Sequence, residues 1–98
     1  MFIVTLRFAD ASRAAPFMDG HNAWLRRGFE DGVFLLAGSL QPKAGGVILA
    51  HGVSAEAIAA RVQEDPFVAE GVVRAEVLTV TPGRTDARLA FLSDAAPA

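Results

Sequence analysis

The chain has 98 residues, of which nine are basic, eleven acidic and none cysteine. That is the length of one small domain, which as a monomer buries only about 60–70% of the surface its unfolded chain exposes. The charges are scattered, and Arg26-Arg27 is the sole adjacent basic pair. A nucleic-acid interface, which needs a basic stripe against phosphates, is therefore excluded, as are a disulfide framework and a thiolate nucleophile.

The stretch Phe2 to Phe8 alternates, with Phe2, Val4, Leu6 and Phe8 on one side and Ile3, Thr5 and Arg7 on the other. This spacing predicts a strand. The same N-terminus lacks a basic region followed by a cleavage site, so it does not read as a signal peptide. Asp10 or Ser12 is then placed to cap a helix running to about Glu30, with Pro16 tolerated in its first turn. On that helix Phe17, His21, Trp24, Leu25 and Phe29 fall on one side, since positions three and four apart share a face. His21 is an ionisable ring on an otherwise apolar stripe. It is either a core histidine with a satisfied hydrogen bond or a working one. Gly20 and Gly28 weaken the helix but permit close backbone packing.

Asp31-Gly32 stops the helix, and Val33 to Leu40 is a second strand, apolar on both faces. That run is too short to span a bilayer, and the chain reads as soluble and cytoplasmic. Gln41 to Gly46 supplies a turn, Val47 to His51 a third strand, and the two strands should form an antiparallel hairpin. His51, beside Gly52, is expected to be exposed. Ser54 caps a second helix with Ile58 and Val62 on its inward stripe. Asp65 ends that helix and can cap a single turn from Pro66 to Glu70, proline being suited to the first helical position. Val72 to Thr81 is the fourth strand, and Pro82-Gly83 closes the domain. The tail, residues 84–98, carries Leu89, Phe91 and Leu92 and then frays into Ser-Asp-Ala-Ala-Pro-Ala.

The order βαββαβ is the ferredoxin-like arrangement, an α+β fold with a four-stranded antiparallel sheet and two helices on one face. The second face of such a sheet should be polar in a monomer, yet here both sides of the strands are largely apolar. A homodimer packed sheet to sheet is the expected consequence. Leu89, Phe91 and Leu92 suggest that the tail docks on that dimer.

His21-Asn-Ala-Trp-Leu25, Gly32-Val-Phe-Leu-Leu-Ala-Gly-Ser-Leu40, Ser54-Ala-Glu-Ala-Ile58 and Asp65-Pro-Phe-Val-Ala-Glu-Gly-Val72 resemble, in order and spacing, the YciI-like (YCII-related) proteins. The resemblance covers the chain to about Pro82. It implies the dimeric α+β barrel type and an active site built from His21 and Asp65, in a pocket between helix and sheet. It implies as well a role for Arg13, which looks like an arginine often seen there, as anchor for an anionic group of a substrate. Ser39 departs from the family's usual Ala-Gly-Pro and would add a hydroxyl at the pocket edge. Trp24 joins these as a substrate-binding candidate, although a core role is the commoner one for such a residue. The reaction class implied is acid/base elimination of halide from a hydroxylated ring compound, a dehydrochlorinase-like chemistry without metal or organic cofactor. If the fold brings Asp65 to His21, the carboxylate would orient the ring and stabilise its protonated form, as an acid/base catalyst requires. Two histidines without carboxylates at ligand spacing give no metal signature. The alternatives are a non-catalytic dimer binding a small molecule or a protein and, by fold analogy alone, a cofactor-free monooxygenase.

Overall fold

The computed structural model describes residues 1–95 of the chain. Four strands, β1 (Phe2–Phe8), β2 (Phe34–Leu40), β3 (Gly45–Ala50) and β4 (Val73–Thr79), form one antiparallel sheet in the order β2-β3-β1-β4. The helices α1 (Met18–Glu30) and α2 (Ala55–Gln63) and the single turn α3 (Pro66–Ala69) complete the βαββαβ plan. The α+β ferredoxin-like arrangement expected from the sequence is the one found.

The core lies between the helices and one face of the sheet. Val4, Ile48, Trp24, Ile58, Val62 and Val72 are its most deeply buried side chains. Period-two alternation on β1 and period-3.6 spacing on α2 put these residues on the same side, so their burial drives the two layers together. Ser54 caps α2 as expected, its Oγ accepting from the Ala57 N–H at 3.1 Å.

Several local expectations are corrected. The first helix does not begin at Asp10 or Ser12. Two 3-10 turns, Ala11–Arg13 and Ala15–Phe17, precede α1, because the Asp10 carboxylate accepts from the Ser12 hydroxyl instead of capping backbone N–H groups. On α1 the inward position is Gly28, not Phe29, which is 44% exposed. The ring of Phe34 occupies the space that a side chain at residue 28 would need, and a Cβ there would lie 2.0 Å from Phe34 Cδ2.

On β2 a bulge between Phe34 and Leu36 changes the parity. Phe34 faces the core and Leu36 the outer face, so alternation along the strand is interrupted after its first residue. Ala37 and Ser39 consequently point to the helix side, opposite Ile48 and Gly46.

The tail forms a 3-10 turn, Ala87–Leu89, and a short helix α4 (Ala90–Ala95). Leu92 is buried against its own protomer, and the ring of Phe91 stands edge-on to His51 at 5.5 Å. His51 is thus half-buried rather than exposed, and its Nδ1 is enclosed without a hydrogen-bond partner. Of the closing Ser-Asp-Ala-Ala-Pro-Ala, the first three residues belong to α4 and residues 96–98 lie outside the described residues.

The outer face of the sheet is graded. The register places Leu36, Leu49, Ile3 and Leu78 side by side across all four strands, with Leu36 and Leu78 exposed. At the other end of the strands Leu40, Gly45, Arg7 and Arg74 form the corresponding row. The described helices are too short and too polar to cross a membrane.

Candidate active site

His21 and Asp65, 44 residues apart in the chain, are in direct contact. His21 Nδ1 lies 2.9 Å from Asp65 Oδ1 and 3.1 Å from Oδ2. Asp65 is fully buried, while the His21 side chain keeps 14% of its surface exposed. Two local features bring them together. Asp65 caps α3, its Oδ1 accepting from the Phe67 N–H at 3.0 Å, which fixes the carboxylate. Gly20 of α1 sits so close to this turn that a Cβ would lie 2.9 Å from Pro66 Cγ. The absence of a side chain at residue 20 therefore sets the distance between the helix carrying His21 and the turn carrying Asp65.

An ionised carboxylate only accepts hydrogen bonds, so Nδ1 must donate and the neutral imidazole is the Nδ1–H tautomer. Nε2 is then the basic nitrogen. The ring is held flat by Phe67, whose plane stacks at 4.1 Å and 9°, and by Trp24 at 6.0 Å and 30°. Its Nδ1 is committed to Asp65, and the ring borders a cavity of about 320 Å3 between α1 and strands β1, β2 and β3. The walls are mostly apolar, among them Leu6, Leu25 and Ile48. Polar side chains enter from His21, Asn22 and Ser39, and among the described residues no lysine or arginine lines the cavity. A space of this size takes a single-ring molecule, since a cavity of about 150 Å3 already holds benzene.

The other predicted residues divide. Ser39 lies at the cavity wall, because the bulge in β2 turns it to the helix side. Trp24 is buried beneath the site with its indole N–H donating to the Arg61 carbonyl at 2.9 Å, and does not border the cavity. Arg13 is also outside it. Its Nη1 donates to the Glu70 carbonyl at 2.9 Å and so ties the β1–α1 connection to the end of α3. Asn22 and Phe67 also border the cavity, and no motif of their own marks them in the sequence. Asn22 adjoins His21 on the first turns of α1, and Phe67 is two residues past Asp65, so adjacency to the pair was the signal available. Among the described residues no three His, Asp or Glu side chains group as metal ligands.

The sequence model of the YCII-related domain matches residues 1–81. Among solved structures the chain is similar to 5-chloro-2-hydroxyhydroquinone dehydrochlorinase from Burkholderia phenoliruptrix AC1100, in complex with 2,5-dihydroxybenzoquinone. The TM-score is 0.66 at 16% identity, over 85% of this chain and 96% of that one, a likeness of fold. No curated protein matches the chain.

Proposed function

This chain belongs to the YCII-related family, and on that footing we propose that it is a cofactor-independent acid/base enzyme acting on a small hydroxylated ring compound. The observation that carries the reading is the fully buried Asp65 holding Nδ1 of a histidine whose ring borders a cavity of single-ring size. His21 Nε2 takes a proton from the bound molecule and Asp65 stabilises the imidazolium that results. On a chlorinated hydroquinone the first hydroxyl proton is passed to the ring carbon that bears chlorine, giving a keto tautomer. Nε2 then takes the second hydroxyl proton, the oxygen's electron pair becomes a C=O bond, and chloride departs from the sp3 carbon with its bonding pair. The histidine then returns the proton to water. Ser39 and Asn22 orient the ring hydroxyls. Proton transfer by a positioned base is worth roughly 10²–10⁴-fold. Dehydrochlorination is favoured within this class because the structurally similar enzyme carries that activity.

The active form in this proposal is a homodimer, with the exposed row Leu36, Leu49, Ile3 and Leu78 covered by a second copy. The test is halide release from a panel of chlorinated hydroquinones. Wild type should release chloride from at least one of them, and Asp65→Asn should remain folded yet lose at least 10²-fold in turnover. Wild-type turnover by Asp65→Asn would overturn the role of the pair. A cavity that binds these rings while wild type leaves them unchanged would favour a binding module instead.

A further inference from the structure

Two adjacent glycines open β3, and they are glycines for different reasons. Gly45 has φ +138°, and a Cβ there would lie 1.9 Å from the Leu6 carbonyl oxygen, so the backbone itself requires glycine. Gly46 has no positive φ, and a Cβ on it would meet only the Gly38 carbonyl oxygen, at 3.3 Å. A glycine inside a strand weakens it, and it marks a bulge, a bend or a place where a ligand comes close. The register runs unbroken through Gly46 to Leu6 on β1 and to Ser39 on β2, so there is no bulge, and the sharp backbone turn falls at Gly45. Paired residues share a face of the sheet, so a side chain at residue 46 would stand between those of Leu6 and Ser39. All three residues border the His21 cavity, which α1 faces from the opposite side with His21, Asn22 and Leu25.

We propose that Gly46 is the specificity-determining residue of this cavity: the side chain it lacks leaves room against the sheet for one ring substituent of methyl or chlorine size. The ring then lies between β3 and α1, with Nε2 of His21 reaching it from the helix side. This role rests on the hydroxylated-ring reading above and gives the halogen its place. The room is apolar on the Leu6 side and borders the Ser39 hydroxyl on the other, which suits a halogen or alkyl group next to a ring hydroxyl. A methyl group and a chlorine substituent are close in volume, so Gly46→Ala fills the space that the chlorine needs.

The test is calorimetric titration of the full chain under argon with hydroquinone and with methylhydroquinone, whose methyl group takes the place of chlorine but cannot leave. Binding is thereby read without turnover. Wild type should bind methylhydroquinone about fourfold more tightly than hydroquinone, the gain from burying one methyl group. Gly46→Ala should bind methylhydroquinone about tenfold or more weakly than wild type does, from overpacking by one methyl, while hydroquinone binding stays within about threefold. Where Gly46→Ala fails to fold in thermal melts, wild type alone decides, through nuclear Overhauser contacts between the ligand methyl and the Gly46 α-protons. A bound methyl group without those contacts overturns the role of Gly46 and leaves the acid/base reading standing. So does a folded Gly46→Ala protein that loses both ligands equally or neither. Wild type that binds neither ring overturns both. Methyl-selective binding without halide release from any chlorinated hydroquinone supports Gly46 as the selector of a binding module and defeats the acid/base reading alone.

Discussion

Replacing Gly20 with alanine should separate activity from stability. The added Cβ would lie 2.9 Å from Pro66 Cγ, whereas ordinary contact begins at 3.4 Å, so α1 and the Pro66 turn must part by about 0.5 Å. His21 is the next residue on α1 and Asp65 the residue before Pro66, so their 2.9 Å hydrogen bond moves toward 3.4 Å, the weak end of the range. Alanine improves helix propensity by up to about 1 kcal/mol, against a packing cost of about 1–3 kcal/mol. The expected net loss is about 0–2 kcal/mol, or at most roughly 15 °C in Tm. Turnover should fall about tenfold or more, since displacement of a catalytic group by about 1 Å can cost 10²-fold. The assay pairs thermal melts with halide release. Wild-type turnover in a folded Gly20→Ala protein would refute the reasoning that close approach at residue 20 sets the His21–Asp65 geometry.

Two further predictions concern surfaces. Leu36→Glu combined with Leu78→Glu places charges in the exposed row and should convert a micromolar dimer to a monomer in sedimentation. A wild type that is already monomeric there removes the basis for sheet-to-sheet pairing. Leu92→Ala should lower the unfolding free energy by about 2–3 kcal/mol in denaturant titrations, because this tail residue is buried to 4% exposure on its own protomer. An unchanged midpoint would mean that α4 does not dock there.

The plan of the fold was legible because its signals are periodic. Alternation on β1, the 3.6 spacing of Ile58 and Val62, and the Ser54 and Asp65 caps each specify an element by local physics. The pairing of His21 with Asp65 could be posed but not measured from sequence, because a contact across 44 residues depends on how tightly α1 meets α3. That approach rests on Gly20, which in sequence looks only like a weak helix former. The bulge in β2 was invisible for a different reason. Phe34-Leu35-Leu36 is apolar throughout, so nothing in the pattern marks which residue is the extra one, and the position of Ser39 could not be fixed. Spacing alone points Phe29 inward, whereas the core reserves that place for Phe34 packed on Gly28. His51 looks exposed in sequence because the packing of the tail is a tertiary event that no local signal announces.

In the proposed mechanism Asp65 fixes the tautomer of His21, and nitrogen-15 NMR of the two histidine rings tests this most directly. In wild type His21 should show the Nδ1–H tautomer, with Nε2 carrying the lone pair, and Asp65→Asn should shift those signals while leaving His51 unchanged. A His21 in the Nε2–H tautomer, or one whose signals ignore the loss of the Asp65 charge, would contradict it.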